Sequence, residues 1–485
     1  MRLASLILML LLTCLPLARP AAAQQFQRAP QGPPTRITSP APATTGGFLG
    51  GVPYGAATDE VMTLTVLDAI KRALDHNLGV LTAEQSVNRA GGARWQALSD
   101  LLPNVNARVG ETRQRINLAA FGFGSSAGSP FADIPSIVGP FNVFDARLFL
   151  SQAIVDLGAL NHSRAASHDA EAARHTFTNA RNFVIHVAGN LYIQALAAES
   201  RATAARAQRD TATALFTQAQ DLKQSGIIAG VDVLRAEVQL NTETQRTTAA
   251  ENDAEKAKLQ LARAIGLPLG QRFALDPNLP ELPDPDVTLE QAIEAAYRSR
   301  PDYQAALERV RAAEATRQAV AGDRLPSVYV NADYGEIGLT PAVARMTFSV
   351  TGAVNVPIFQ GGRQRAERLE AEADLRNRRA EAEDLRASIY YDIRAAFLDL
   401  QATSQQLQVA TKARELAMQQ LTQSRDRFAA GVASNIEVVQ AQEAVALAAE
   451  QYISARYGYD LAKGAIIRGT GASQAILRQL LGGTR

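Results

Sequence analysis

The sequence predicts a mixed α and β fold, built twice over, in which membrane-type β-hairpins run directly into very long helical hairpins. Three observations predict it. Helix, turn and strand signals recur at a fixed spacing; four segments of about ten residues alternate apolar and polar side chains; and each pair of those segments leads into a helix that meets no proline.

The duplication orders everything else. Thr65 to Leu74 is a capped amphipathic helix: Thr65 can accept from the orphan N–H groups, and Val66, Ala69, Ile70 and Ala73 share a face. Thr288 to Tyr297 repeats it 223 residues later. Leu102-Pro103-Asn104-Val105 and Leu325-Pro326-Ser327-Val328 stand at the same offset of 223. A spacing that holds over about forty residues marks an internal repeat. The repeats are read as residues 59–266 and 287–471, joined by a proline-rich, aperiodic connector at 267–286 and followed by a tail at 472–485.

After each Leu-Pro the period switches from helical to alternating. In the first repeat Val105, Ala107 and Val109 oppose Asn106, Arg108 and Gly110, and the return strand sets Phe144, Ala146, Leu148 and Leu150 against Asp145, Arg147 and Ser151. In the second, Val328, Val330, Ala332 and Tyr334 oppose Tyr329, Asn331 and Asp333, and Met346 to Val356 alternates in the same way. Hairpins are therefore expected over 105–153 and 328–356, with a long loop from Asn117 to Pro140 in the first and a short one from Glu336 to Arg345 in the second. About ten residues is what a tilted membrane-crossing strand needs. Alternation alone leaves a soluble sandwich open, since it does not say whether the apolar face meets lipid or a core.

Ile154-Val155-Asp156-Leu157-Gly158 and Ile358-Phe359-Gln360-Gly361-Gly362 turn the strands into helices, so helical hairpins are expected over 159–265 and 363–470. At 1.5 Å per residue the stretch from Arg363 to Ala430 would span roughly 100 Å. Gly226 and Gly431, 205 residues apart, each permit a C-cap of positive φ before the chain re-enters a helix near Asp232 or Glu437. These are the hairpin tips.

Residues 1–23 read as a secretory signal: Arg2, an apolar run from Leu3 to Leu12, then Ala21-Ala22-Ala23 before Gln24. The run is too short to cross a bilayer as a helix. Cys14, the one cysteine, is expected to leave with the signal, because Leu11-Leu12-Thr13 fits a lipid-attachment site poorly. Residues 24–58, rich in Pro, Gly, Ala and Thr, are expected to be a flexible extension. Beyond the signal there is no apolar run of about eighteen residues, so entry into a membrane would have to be by strands. A net charge of +1 gives no basic signature for nucleic acid.

Four strands cannot close in lipid, where every backbone polar group must be paired and single-chain barrels need at least about eight. Several chains would have to share one barrel. Two would give eight strands plugged by their own side chains, and three would give twelve and a lumen.

The Thr-x-x-x-Ala-Ile start at Thr65, the Leu-Pro before each strand, the Ile358-Phe359-Gln360-Gly361-Gly362 turn, the Gly431 to Val439 tip and the duplication together resemble the TolC-type outer membrane factor family, from about Thr63 to Gly471. The resemblance implies a homotrimer in which four strands per chain build a twelve-stranded transmembrane β-barrel, continued by a periplasmic α-helical barrel of coiled-coil hairpins. Such proteins sit in outer-membrane lipid of a Gram-negative bacterium. They are the exit ducts of tripartite efflux pumps or type I secretion systems, joined to a periplasmic adaptor (membrane fusion protein) and an inner-membrane transporter of RND, ABC or MFS type.

No catalytic constellation stands out. Gly122-x-Gly124 lies in a loop rather than between strand and helix. His168, His175 and His186 stand two and three turns apart, whereas zinc ligands on a helix usually stand one turn apart. They read as a solvated or lumenal face, and no metal or cofactor is expected.

The resemblance points to the tips instead. It implies a ring of acids that constricts the periplasmic entrance, with polar links to the first tip holding it shut. Glu437 matches the first acid and Asp232 the acidic partner. Gln440 stands where a second acid often sits, Ala433 where an arginine latch would be, and Phe428 where a tyrosine would be. Three Glu437 side chains at ~7 Å would repel by only about 0.6 kcal/mol per pair in a water-like dielectric. Selection or binding of cations fits them better than springing the tube open, and the helix dipole alone would also account for acids in a first turn. Gly226, Ile227, Ile228, Gly431 and Val432 shape the ends that, by resemblance, meet the adaptor, with the isoleucines and valine exposed. The reading is a passive trimeric export duct without enzymatic activity. Its rival is a periplasmic coiled-coil adaptor or structural protein that has no membrane barrel.

Overall fold

The computed structural model describes residues 45–121, 135–280, 288–430, 432 and 435–480. The signal with Cys14, the first part of the extension, Gly122 and Gly124, part of the connector, Gly431, Ala433 and residues 481–485 lie outside the described residues. The first repeat runs β1 (Met62–Leu64), α1 (Val66–His76), α2 (Leu78–Ser99), β2 (Asn104–Asn117), β3 (Ile137–Val155), α3 (Leu157–Gln224), α4 (Gly230–Ala264) and β4 (Phe273–Leu275). The second runs α5 (Leu289–Ser299), α6 (Pro301–Gly322), β5 (Ser327–Gly338), β6 (Arg345–Asn355), α7 (Arg363–Ala429), α8 (Asn435–Gly469) and α9 (Ser473–Leu480).

Both repeats begin on a threonine cap. Thr65 Oγ1 accepts from the Asp68 N–H at 3.1 Å, and Thr288 forms a reciprocal box with Gln291 at 3.3 and 3.0 Å. The helix then breaks and restarts. In the first repeat Asn77 makes the break, its Oδ1 accepting from the Gly79 N–H at 2.9 Å. In the second, Arg300 precedes Pro301 at the first helical position.

The strands form one antiparallel sheet in the order β2-β3-β5-β6, so the two repeats pair through β3 and β5. Register converts the alternation into two chemically distinct faces. Ala107, Leu148, Tyr334 and Phe348 form one continuous row, and Val105, Leu150, Ala332 and Val350 form the next. Val109, Phe348 and Val350 are 72%, 76% and 70% exposed. A soluble sandwich would bury that face under a second sheet, and the described residues contain none that packs on it. β2 and β6 are the edges, each with one row of backbone groups unpaired among the described residues.

The first hairpin is taller than expected. β3 is 19 residues long, and after a register shift at Gln114/Ile116 the pairs Ile116 to Val138 and Asn117 to Ile137 extend the ladder into what reads as loop. Its Gly, Ser and Pro residues hide that pairing, because a ladder across a bulge has no local period.

α3 has 68 residues and α7 has 67, which at 1.5 Å each is about 100 Å. α3 packs along α4, α6 and α2, while α7 packs along α8 and α6. α4 buries Val233, Ala236, Gln239, Glu243 and Thr247 at spacings of three and four, the seam of a coiled coil.

Half-way along α3 lies the main core. Val184, Ala188, Tyr192 and Leu196 pack against Ile70 and Ala73 of α1, Leu261 and Ile265 at the end of α4, and Leu477 of α9. Tyr192 Oη lies 2.8 Å from the carbonyl oxygens of both Leu64 and Asp276, tying α3 to a small parallel sheet of β1 and β4. Three segments differ from expectation here. Residues 45–58, expected in the flexible extension, strap the core: Phe48 meets Phe183 edge-on at 4.8 Å, the Val52 N–H donates to the His76 carbonyl, and Tyr54 stacks on His76. The connector contributes β4, and the tail contributes α9. Each is too short to show a period, and each is ordered by partners far away in sequence.

Two of the three histidines read as a solvated or lumenal face have protein partners. His168 Nδ1 lies 2.8 Å from Glu308 Oε2 on α6. His186 sits partly buried with Nε2 3.0 Å from Asn190 Nδ2, and burial, then the nearby Arg468 charge, pull its pKa down to about 4. Among the described residues no group of three or more His, Cys, Asp or Glu side chains gathers as a metal site would require.

Candidate functional site at the helical tips

The first tip closes α3 with a glycine cap. Gly226 takes φ +72, the Gly226 N–H donates to the Lys223 carbonyl at 3.0 Å, and the Ile227 N–H reaches back to the Leu222 carbonyl at 2.9 Å. A side chain at Gly226 would meet nothing within 4 Å, so it is the backbone conformation, not space, that requires glycine. The second tip makes the same long closure, with the Val432 N–H donating to the Arg427 carbonyl at 3.0 Å.

The tip hydrophobics divide. Ile227 and Val432 are 67% and 68% exposed and stand free at the ends. Ile228, expected beside them, turns inward against Ala219, Val233 and Phe216. The correction has a simple cause. α4 starts at Gly230, so Ile228 lies close enough to the seam for its side chain to complete the last apolar layer between α3 and α4.

Phe428 is buried, packed with Val438 of α8 and Leu215 of α3. It lacks a hydroxyl and joins the two hairpins by apolar contact rather than by a polar link. Leu421 and Leu222 flank the same cluster.

The two acids each face an arginine of their own hairpin. Arg235 Nη1 donates to Asp232 Oδ1 at 3.0 Å within the first turn of α4. Arg427 Nη2, in the last turn of α7, lies 3.7 Å from Glu437 Oε2 in the first turn of α8. Both pairs reach solvent, with Asp232 the most covered of the four side chains at 23% exposure, which limits each to roughly 0–1 kcal/mol. They still lower the net negative charge that Asp232 and Glu437 would otherwise present. Gln440 is exposed on the next turn of α8. Arg427 and Arg235 escaped sequence reasoning; for Asp232 the available signal was the basic residue one turn on, whereas Arg427 meets Glu437 only through the geometry of the tip.

Comparison with known proteins agrees with this architecture. The family profile described as outer membrane efflux protein matches residues 69–267 and 292–472, one stretch in each repeat. The pyoverdine export outer membrane protein OpmQ of Pseudomonas putida is 25% identical over 398 residues, spanning 80% of this chain and 81% of that protein. The outer membrane protein TolC of Escherichia coli is 22% identical over 333 residues, spanning 66% and 67%. Among solved structures, the CmeC outer membrane channel of Campylobacter jejuni superposes with a TM-score of 0.75 at 17% identity, covering 88% of this chain and 92% of that one. The outer membrane protein VceC of Vibrio cholerae gives 0.72 at 16% identity, covering 84% and 96%. The chain therefore belongs to the outer membrane efflux protein family and serves as an outer-membrane exit duct that extends into the periplasm.

Proposed function

We propose that three copies of this chain form the outer-membrane component of a tripartite exporter, a passive conduit without chemistry of its own. The observation that carries this reading is the four-stranded sheet, apolar on one face, polar on the other, and open at β2 and β6. Lipid tolerates that sheet only if the open edges find partners, and three copies joined edge to edge supply twelve strands around a lumen. The polar face then lines water and the apolar face meets lipid.

The tips are the docking ends for a periplasmic adaptor and, through it, an inner-membrane transporter of RND, ABC or MFS type. Ile227 and Val432 offer exposed apolar contact there, and Gly226 sets the shape of the first turn, with Gly431 at the matching position of the sequence. Cargo follows from the transporter that the trimer joins. Glu437 and Asp232 line the entrance as acids partly offset by Arg427 and Arg235, with Gln440 beside them, and tune the passage of cations.

Purified protein should migrate as a heat-modifiable trimer, fractionate with the outer membrane and conduct in planar bilayers. A detergent-free soluble monomer would refute the duct. Gly226→Val should leave the trimer intact and abolish export, since a β-branched residue resists the φ of +72 there, and Gly431→Val, at the matching position of the sequence, should do the same. Export retained in both variants would remove the tips from the docking role.

A further inference from the structure

The polar face of the sheet holds an aromatic side chain where the alternation expects none. Phe149 shares its face with Arg147 and Asp145, opposite Leu148 and Leu150. In register it is flanked by Asn106 and Asp333, with Arg108 and Arg147 on the adjoining row. Both guanidiniums lie over its ring, Arg108 at 5.1 Å and Arg147 at 5.2 Å from the centroid.

The two arginines are not equivalent. Arg147 is fully engaged: Nε and Nη2 grip Asp145 at 2.6 and 2.5 Å, and Nη1 reaches Asp333 at 3.0 Å. It reaches that far only because Gly335 lies beneath it, where a Cβ would come within 2.6 Å of Arg147 Cα. Arg108 is exposed and, among the described residues, makes no ion pair; its guanidinium lies over the ring of Phe149. Asp145, which feels the charge of Arg108, gives both oxygens to Arg147. One row further out Arg345 lies on the same face, paired in register with Ile337. Over these three rows, three arginines face two aspartates.

We propose that Arg108, backed by Phe149, is an organic-anion site on the wall of the barrel lumen, selecting flat anionic cargo on its way out. This rests on the trimeric duct reading, which turns the polar face into a lumen and repeats the site three times. A guanidinium placed over an aromatic ring, 5.1 Å from its centroid, offers a planar fork to a carboxylate or sulfonate, and the ring offers contact to an aromatic body. Arg147 and its two aspartates form the rigid strut that fixes Phe149.

The test is a titration of the detergent-solubilised trimer with naphthalene-1,5-disulfonate, followed by ligand fluorescence, after size exclusion has established the trimer. Wild type should bind it, Arg108→Gln should weaken binding at least tenfold, and Phe149→Leu should weaken it severalfold, with both variants still trimeric. Inorganic sulfate, which has no flat body, should compete poorly. Equal affinity in wild type and Arg108→Gln, or equal binding of a naphthyl ammonium cation, overturns the proposal and leaves the duct standing. A monomer at the size-exclusion step overturns both.

Discussion

The two repeats share one plan and differ in how they finish it half-way along their long helices. At the helix offset of 205, Val184 matches Ile389 and Ala188 matches Ile393, all buried. One step further Tyr192 matches Phe397, and there the likeness ends. Tyr192 is fully buried and hydrogen-bonded to both strands of the small sheet, while Phe397 is only partly buried. Among the described residues the second repeat has no such sheet, so a hydroxyl at 397 would have nothing to hold. The corners differ likewise. Asn77 closes the first by donating to the Ala264 and Phe48 carbonyls, whereas Arg300, 223 residues later, closes the second through Asp302 and Asp392. The difference teaches that a duplicated chain puts its main core in one copy, leaving the other to be held by charge pairs and a smaller cluster.

That comparison can be broken most directly at Tyr192. Tyr192→Ala should cost about 3–5 kcal/mol, the range for emptying a large aromatic site, and Phe397→Ala about half of that. Thermal unfolding of the two variants under matched detergent conditions checks it. Equal losses would mean that the cores carry equal weight.

The next effect is a pH dependence carried by His186, for which the second repeat has no histidine at the matching place. His186 is partly buried beside Arg468, Asn190 and Gly464, and its pKa falls to about 4, while exposed Tyr391 stands at the matching place. Between pH 6.5 and about 4 the unfolded chain binds a proton that the folded chain refuses. The contribution of His186 is therefore full above about 6.5, falls as pH drops toward 4, and levels off below, by roughly 3 kcal/mol in all. The melting temperature of wild type should follow this slope over that window. His186→Gln should flatten it; an unchanged slope would place the titration elsewhere.

How much of this was legible in the sequence follows from the range over which each feature is encoded. Thr65, Thr288, the strand alternation and the tip glycines act within a few residues, so the repeat, the hairpins and the long helices could be read directly. β1 pairs with β4 across some two hundred residues, and the strap at Phe48 folds onto Phe183, so neither leaves a local period. At the tips the acids were legible as residue types, but their arginine partners were not, because ends of different helices supply Arg427 and Glu437. Phe149 escaped notice because two arginines mask it on a face read as polar.

The seams of the two hairpins sharpen the comparison further. In α4, Gln239 and Glu243 are buried and bonded to each other at 3.0 Å, with Arg246 on the same Glu243 oxygen at 2.7 Å. At the helix offset Glu243 becomes Ala448, also buried. Replacing a satisfied buried polar pair by apolar residues is commonly neutral or stabilising by about 1–4 kcal/mol, and polar seam residues serve to fix register. Gln239→Leu combined with Glu243→Leu should raise the melting temperature modestly. Ala448→Glu should lower it, because its own helix offers no arginine one turn on: Gln451 and Tyr452 stand there. A loss in the first double variant would show that its polar layer supplies net stability.

The smallest effect lies at the second tip. Arg427 and Glu437 are about half exposed and 3.7 Å apart, so Arg427→Ala should change stability by less than about 1 kcal/mol. Its consequence is electrostatic. Removing Arg427 uncovers Glu437 in every chain while Arg235 still offsets Asp232, so the two tips cease to be alike in charge. Reversal potentials in a salt gradient should shift toward cations in Arg427→Ala and back again in Arg427→Ala with Glu437→Gln. Raising the ionic strength should shrink both shifts, since the Debye length drops from about 10 Å at 0.1 M to 3 Å at 1 M. Shifts that persist at 1 M would mean that Arg427 acts through the shape of the turn rather than through its charge.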